Sequence, residues 1–324
     1  MRPHRSIGLG VRVLVAAALV GAWVTAVSVS PAESAPVGRA SDCVSSAVPG
    51  VSTQTIDVEG TARQYRVAVP EDPTGKRPRP LILNFHGDRG TDVAQAVYSQ
   101  LEEKGPGRGF VVITPLSNLP IWGKRELNFF EASDANLAFT RALIDAAAAG
   151  LCIDTHRVYA TGFSGGGGMS TYLGCKLSRQ LAAIAPVAGV NLAEPCPDGK
   201  PMSVIAFHGT ADANVAYGGG PGAVINRPDR DLPSVDTAVQ AWAQRADCRT
   251  KPSSRAIGTE VERIAYRGCR GATGVELYAV TGGGHAWPGS FDVPMLGHTT
   301  QDINAADLIL DFFSHHPPSK NAKS

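Results

Sequence analysis

A serine inside a glycine-rich turn is the residue of this chain best suited to covalent chemistry. Ser164 stands at the centre of the pattern G-x-S-x-G, residues 162–166. Residues 155–161 before it have the β-branched and aromatic character of a strand, and residues 167–177 after it carry apolar side chains at near-helical spacing. A sharp turn from a strand into a helix would lift the hydroxyl group clear of the backbone. The pattern therefore predicts that Ser164 is a nucleophile.

A serine hydroxyl becomes reactive when an imidazole accepts its proton and a carboxylate orients that imidazole. Asp212 lies just beyond the buried run 204–207, and His285 follows the last predicted strand after three glycines. A turn aspartate bonded to its own backbone and a surface histidine are the alternatives for these two residues. His298 is the second candidate for the base. The order Ser164, Asp212, His285, each beyond a strand, favours a catalytic triad.

The oxyanion that forms during acyl transfer needs at least two backbone N–H donors that are already oriented. The amide of Gly165, directly after the nucleophile, is the first expected donor. The loop of residues 85–90 follows an early strand and should supply the second, which we assign to Asp88 with Gly87 as the alternative. His86 precedes the nucleophile in the chain, so we expect it to shape this loop and not to act as the base.

Apolar runs typical of strands buried on both faces alternate with helical patterns along the chain. The predicted strands are residues 80–86, 110–114, 158–163, 181–187, 202–208 and 275–281. The predicted helices are residues 92–104, 133–149, 165–178, 234–246 and 301–314. This alternation predicts an α/β fold with a mostly parallel central sheet and helices on both faces. Residues 56–69 are expected to form an antiparallel edge hairpin, and the Gly/Pro-rich residues 216–233 a long surface loop.

The first 35 residues are typical of an export signal, with a basic start, an apolar stretch at 13–29 and small residues at 30–35. We expect cleavage near residues 32–35 and a secreted, extracellular product without stable membrane association. An uncleaved membrane anchor is the alternative. Residues 36–316 are then expected to form one catalytic domain, and residues 317–324 a disordered tail.

The charge balance limits the classes of partner. The chain has 30 basic and 29 acidic residues, a formal net charge of +1, and no basic cluster. Nucleic acid and anionic lipid are therefore poor candidate partners. The chain has no C-x-x-C pair and no cluster of cysteine and histidine, so no metal site is expected. We expect a monomer.

Six cysteines, an even number in a chain with an export signal, predict disulfides. They are Cys43, Cys152, Cys175, Cys196, Cys248 and Cys269. Many pairings are possible, and we expect 175–196 and 248–269, each closing a local loop, with 43–152 tying the N-terminal segment to the core.

Four segments resemble signatures of the secreted poly(3-hydroxyalkanoate) depolymerase and feruloyl esterase group of α/β-hydrolases. They are residues 157–164, 183–189, 208–212 and 284–289. The resemblance covers roughly residues 55–315 and implies an α/β-hydrolase fold. It also implies that Ser164, Asp212 and His285 form the triad and that carboxylic esters are cleaved through an acyl-enzyme without a cofactor. Residues 114–123 depart from the group's pattern, with only Trp122 as a counterpart, and no substrate-binding module follows residue 316.

Three aromatic residues, Trp122, Tyr217 and Trp287, are expected in the pocket wall, where their faces would suit a phenolic or an aliphatic acyl group. Core packing is the alternative for Trp287. The leading hypothesis is a secreted serine esterase acting on feruloyl or acetyl esters of plant polysaccharide. Hydroxyalkanoate oligomers are the alternative substrate, and a peptidase comes third. A non-catalytic binding protein on the same fold is the alternative from another class.

Overall fold

The computed structural model describes residues 48–71, 77–124, 130–194, 196, 199–225, 227, 229–249 and 251–316. All of them belong to one unit of the chain, Arg39–Ser324. The expected signal segment 1–35, Cys43 and the tail 317–324 lie outside the described residues. Within the described ranges, no helix is both long and apolar enough to cross a bilayer.

A mixed β-sheet forms the centre of the described part of the chain. Its strands and those of a small separate ribbon are β1 Gly50–Val58, β2 Thr61–Val69, β3 Arg79–Phe85, β4 Val111–Pro115, β5 Ile153–Phe163, β6 Ala183–Val187, β7 Ser203–Gly209, β8 Gly220–Pro221, β9 Asp231–Leu232, β10 Ser253–Ile257, β11 Val261–Tyr266 and β12 Val275–Val280. The order in the large sheet is β1-β2-β4-β3-β5-β6-β7-β12-β11-β10, and β8 pairs only with β9. The six central strands, β4, β3, β5, β6, β7 and β12, run parallel to one another. The strands outside them, β2 on one side and β11 and β10 on the other, pair in antiparallel fashion. The expected edge hairpin is confirmed as β1 and β2.

Helices cover both faces of the sheet, as predicted. They are α1 Asp92–Ser99, α2 Leu101–Gly107, α3 Asp134–Gly150, α4 Gly165–Lys176, α5 Val235–Arg245 and α6 Ala305–His315, with short 3-10 turns at Arg270–Ala272 and Pro294–Leu296. Successive residues of β3 alternate between two buried clusters, with Leu81 and Leu83 in one and Ile82 in the other. The first cluster includes Phe139 of α3 and Leu173 of α4. The second includes Leu101, Ile309 and Phe313 from α2 and α6. Burial of each such side chain stabilises the fold by roughly 1.5–3 kcal/mol.

The predicted helix 92–104 is two helices, which is a correction to the sequence expectation. Gln100 adopts a left-handed backbone conformation with φ of 59° and separates α1 from α2. Its side-chain Nε2 donates to the carbonyl oxygen of Gly289 at 3.2 Å, and its Oε1 accepts from the side-chain Nδ2 of Asn304 at 3.0 Å. These long-range contacts hold the break, and periodicity within one segment cannot reveal them.

The hairpin of β10 and β11 was not predicted. Most residues of β10 are exposed, so the strand lacks the apolar run that marks buried strands. The loop at 216–233 was expected to be irregular but contains the two-residue strands β8 and β9, too short for any periodic signal.

Candidate active site

Ser164 occupies the expected turn between β5 and α4. Its φ of 56° and ψ of −119° lie outside the regions that side chains ordinarily adopt. The turn is held because the amide of Ser164 donates to Val187 at 2.9 Å and its carbonyl accepts from the amide of Gly168 at 2.9 Å. A strained backbone at a half-buried serine, fixed from both sides, is the geometry of a presented nucleophile.

Close backbone packing explains the glycine at position 166. A Cβ atom there would lie 2.1 Å from the carbonyl oxygen of Phe85 and 2.5 Å from that of His86. Only glycine lets α4 begin so near the end of β3. The two chain segments expected to bind the oxyanion are thereby brought together.

His285 and Asp212 form a direct hydrogen bond. Nδ1 of His285 lies 2.7 Å from Oδ2 of Asp212, and both side chains are almost fully buried. The ring of His285 also packs on Phe163, the residue before Ser164, with 4.8 Å between ring centroids. The loop of His285 is fixed, since its amide donates to Leu296 at 2.7 Å. The glycines before it therefore do not leave a mobile surface histidine.

Both carboxylate oxygens of Asp212 are engaged. Oδ1 accepts from the amides of Asn214 and Val215, each at 2.8 Å, while Oδ2 receives His285. Burial alone would raise the pKa of Asp212. Hydrogen bonds from His208 and His285, together with the electrostatic interaction with these rings, outweigh the effect of burial and hold the pKa of Asp212 well below its usual value. Asp212 therefore stays ionised over the whole neutral range.

His208 is a site residue that sequence reasoning missed as a participant. Its Nε2 lies 2.8 Å from the carbonyl oxygen of Val215 and 3.3 Å from Oδ2 of Asp212. A proton on Nε2 can be shared by both acceptors, so this buried ring supports the same carboxylate oxygen that His285 contacts. The signal was present in the sequence: a histidine at the end of a buried strand, four residues before the acid.

The loop at 86–90 lies against the start of α4, where the second oxyanion donor was expected. The backbone nitrogen of Asp88 lies 3.3 Å from the place that a Cβ on Gly165 would occupy. His86 shapes the loop as expected. Its Nε2 accepts from the amide of Ser117 at 3.1 Å, which leaves Nδ1–H to donate to the carbonyl of Gly87 at 2.7 Å. Burial lowers the pKa of His86, consistent with this neutral tautomer.

The side chain of Asp88 also reaches this site. Its Oδ1 would lie 2.0 Å from a Cβ on Gly165, so the carboxyl group rests against the glycine. The residue is exposed to the cavity, but the cavity walls keep most of the bulk solvent away from its carboxyl group. This desolvation raises the pKa of Asp88, and the nearby cations Arg230 and Arg89 offset only part of the rise.

A cavity of about 310 Å³ opens above Ser164 and Gly165. Its apolar lining residues are Ile121, Phe130, Leu192, Val215, Val224 and Ile225. Its charged lining residues are Asp88, Arg89, Lys124, Arg227 and Arg230. A larger cavity of about 820 Å³ lies at the amino ends of the parallel strands, near Arg79 and Tyr159. The carboxyl ends, where Ser164, Asp212 and His285 stand, are where open α/β sheets bind ligands.

Trp122 does not line the cavity, contrary to expectation. The side chain is fully buried, its Nε1 donates to the carbonyl of His86 at 2.9 Å, and its ring packs edge-on against Phe85. Its neighbours Ile121 and Gly123 reach the wall instead. A large indole gains more from complete burial than from a half-exposed wall. Here it packs against His86, at the start of the loop in which the second oxyanion donor is expected.

Tyr217 and Trp287 are also absent from the cavity lining. The hydroxyl of Tyr217 donates to Asp236 at 2.7 Å, and its ring stands edge-on to His208, behind Asp212. Trp287 is fully buried in the second core cluster, and its amide donates to the hydroxyl of Tyr98 at 3.0 Å. Trp287 therefore packs in the core, which was the alternative to a position in the pocket wall.

Two of the expected disulfides are present, Cys175–Cys196 and Cys248–Cys269. The expected partner of Cys152, Cys43, lies outside the described residues. Cys175–Cys196 ties α4 to the loop after β6, which carries the cavity residue Leu192. Within the described ranges, no group of histidine, cysteine, aspartate and glutamate is arranged to hold a metal ion.

The chain is similar in sequence to two fungal feruloyl esterases. It is 32% identical over 231 residues to feruloyl esterase B of Piromyces equi, and the matched region covers 69% of this chain and 42% of that protein. It is 28% identical over 246 residues to feruloyl esterase D of Neurospora crassa, and the matched region covers 72% of this chain and 77% of that protein. The chain thus spans less than half the length of the first relative. No family model matches the chain.

A solved structure shares the fold. The acetyl xylan esterase from Aspergillus awamori matches with a TM-score of 0.57 at 14% sequence identity, over 82% of this chain and 99% of that one. At this identity the likeness speaks for the fold alone.

Proposed function

We propose that the chain is a carboxylic ester hydrolase related to the feruloyl esterases, and that it cleaves esters through an acyl-enzyme formed on Ser164. The observation that carries this proposal is the buried pair of His285 and Asp212, 2.7 Å apart, beside the strained turn that presents Ser164. The triad assignment, first made from chain order, rests on this geometry.

The proposed reaction has two transfers. His285 takes the proton of Ser164 through Nε2 as the hydroxyl oxygen attacks the ester carbonyl carbon, while Asp212 holds Nδ1–H in place. The amides of Gly165 and Asp88 stabilise the oxyanion. As the tetrahedral intermediate collapses, His285 protonates the departing alcohol. A water molecule activated by His285 then releases the acid and restores Ser164.

The proposed substrates are feruloyl or acetyl esters of plant polysaccharide. The names of the two relatives, both feruloyl esterases, support this class. The apolar lining of the cavity, which includes Ile121, Phe130, Val224 and Ile225, offers surface for a phenolic ring or a short acyl chain.

We also propose that the enzyme works outside the cell as a single chain. Two disulfides support an oxidising compartment. The N-terminal signal pattern supports export, and N-terminal sequencing of the exported protein tests it: a start beyond Ala32 is expected, whereas an intact Met1 would contradict cleavage.

Replacing the nucleophile tests the proposed function most simply. We expect wild type to hydrolyse methyl ferulate and p-nitrophenyl acetate, and Ser164→Ala to lower kcat/KM by about 10⁴-fold or more, since the triad acts as a unit. Initial rates by chromatography and absorbance provide the measurement. Folded wild-type protein that is inactive on both esters would count against the proposal.

Ser254→Ala is the matched control. Ser254 lies on the exposed edge strand β10, far along the sheet from the site. Its substitution is expected to leave both rates unchanged. Equal losses in the two serine variants would mean that the effect at Ser164 is not specific.

A further inference from the structure

One buried arginine faces the cavity and has no ion-pair partner among the residues that the structure describes. The cavity lining includes four cations, of which Lys124 pairs with Glu131 at 3.3 Å and Arg227 with Asp229 at 3.2 Å. Arg230 has no carboxylate within 4.0 Å among the described residues. Only 8% of its surface is exposed, and its Nε is buried without a hydrogen-bond partner in the same part of the chain.

The backbone holds Arg230 in this position. Its amide donates to the carbonyl of Arg227 at 3.1 Å, and its carbonyl accepts from the amide of Gly222 at 2.7 Å. The next residue begins β9. The guanidinium therefore projects from a fixed point and is not a freely moving surface side chain.

An unpaired buried guanidinium is costly, because burial removes water that solvates the charge. Desolvation by burial lowers the pKa of Arg230, and the negative charge of Asp88 compensates only in part. A ligand that supplies the missing anion would recover this cost. Such a ligand has to enter the cavity that also contains Ser164.

We propose that the cavity selects esters that carry a carboxylate, which Arg230 binds while the ester carbonyl lies at Ser164. This inference rests on the proposed esterase function and adds one requirement to the substrate, a carboxylate on its acyl or its alcohol part. A planar carboxylate matches the paired N–H donors of a guanidinium. The apolar walls accommodate the carbon chain between the two ends of the substrate.

The test compares two pairs of esters that differ only in a terminal methyl or carboxylate group. Monomethyl adipate and methyl hexanoate place the charge on the acyl side, and 4-acetoxybutanoate and butyl acetate place it on the alcohol side. In at least one pair we expect wild type to favour the charged ester in kcat/KM. Arg230→Gln should lower that charged-to-neutral ratio by about tenfold or more, the worth of a charge-assisted hydrogen bond. The pair that responds identifies the side of the ester that carries the charge.

Two further variants keep the test decisive. Arg230→Lys keeps the charge but loses the paired donors, so an intermediate ratio is expected. Arg255→Gln, on exposed β10, removes a distant arginine and should leave the ratio at its wild-type value. Ratios that are the same in wild type, Arg230→Gln and Arg230→Lys would overturn the inference.

Binding separates this inference from the esterase proposal. Calorimetry of monomethyl adipate and of 4-acetoxybutanoate with Ser164→Ala, and with the double variant that also carries Arg230→Gln, needs no turnover. Binding that weakens about tenfold or more in the double variant supports the anion site even if no ester is hydrolysed. Equal affinity, or no binding of either ester to either protein, overturns it. An inactive wild type that still binds through Arg230 would contradict only the proposed function.

Discussion

Asp212 is constrained at both carboxylate oxygens, one fixed by two backbone amides and the other facing His285. We expect Asp212→Asn to lower kcat by about 10³- to 10⁴-fold and to change the melting temperature only slightly. The side-chain oxygen of asparagine can still accept from Asn214 and Val215, but its amide would donate to Nδ1 of His285. The ring would then carry its proton on Nε2 and could not accept one from Ser164. Steady-state kinetics with a thermal melt provides the measurement.

A folded Asp212→Asn variant with near wild-type kcat would contradict the role assigned to this carboxylate. Asp145→Asn, on an exposed position of α3, is the matched control and should not change kcat.

The raised pKa of Asp88 predicts a pH-dependent stability difference. Folded protein holds the Asp88 proton more tightly than unfolded protein, whose aspartate pKa is about 3.9. The free energy of unfolding of wild type therefore falls as the pH rises from the pKa of Asp88 in the unfolded chain through its raised pKa in the folded protein. Asp88→Asn has no carboxyl group at this position and does not show this fall. We expect the variant to be more stable than wild type at pH 7, with the advantage vanishing near pH 3. Urea unfolding at both pH values measures it, and a difference independent of pH would contradict it.

At the residue scale, the sequence predicted the turn at Ser164 and the neighbouring positions of Asp212 and His285, but not the cavity lining. Ser164, Asp212 and His285 each follow a strand in short glycine-containing segments, so chain order and local pattern pointed to one edge of the sheet. The lining comes from loops far apart in the sequence, among them Ile121, Leu192 and Arg230, which share no periodicity. The aromatic residues chosen for the wall were instead buried, because their large apolar area packs in the core.

At the scale of elements, the contact between α4 and the end of β3 sets the geometry of the site. We expect Gly166→Ala to lower the free energy of unfolding by about 3 kcal/mol or more and to reduce activity, because its Cβ would meet backbone oxygens that cannot rotate away. Urea unfolding measures the loss. Gly150→Ala is the control, since a Cβ at that position in α3 meets nothing within 4 Å. Equal stability of the two alanine variants would contradict the close approach.

Most elements could be predicted because buried parallel strands are apolar along their whole length. The exceptions depended on contacts outside their own segments. Gln100 breaks a helix through bonds to Gly289 and Asn304, and the exposed hairpin of β10 and β11 lacks an apolar run.

At the scale of the whole molecule, the two disulfides make a matched pair, since each joins cysteines 21 residues apart. Replacing either pair by alanine is expected to cost about 3 kcal/mol of stability, from the added freedom of the unfolded chain. The pair 175–196 also holds the loop of Leu192 beside the cavity, so its removal should lower kcat/KM too. Removal of 248–269 should change stability alone. Chemical unfolding and ester hydrolysis of both variants measure this, and equal activity losses would contradict the distinction.

The whole account depends on the hydroxyl oxygen of Ser164 being the nucleophile that attacks the ester. Reaction with diethyl p-nitrophenyl phosphate followed by peptide mass spectrometry tests this directly. We predict one phosphoryl group per chain, located on Ser164, with ester hydrolysis lost in proportion to labelling and no label in Ser164→Ala. Labelling of a different residue in parallel with the loss of activity, or full hydrolysis by protein labelled at Ser164, would contradict it.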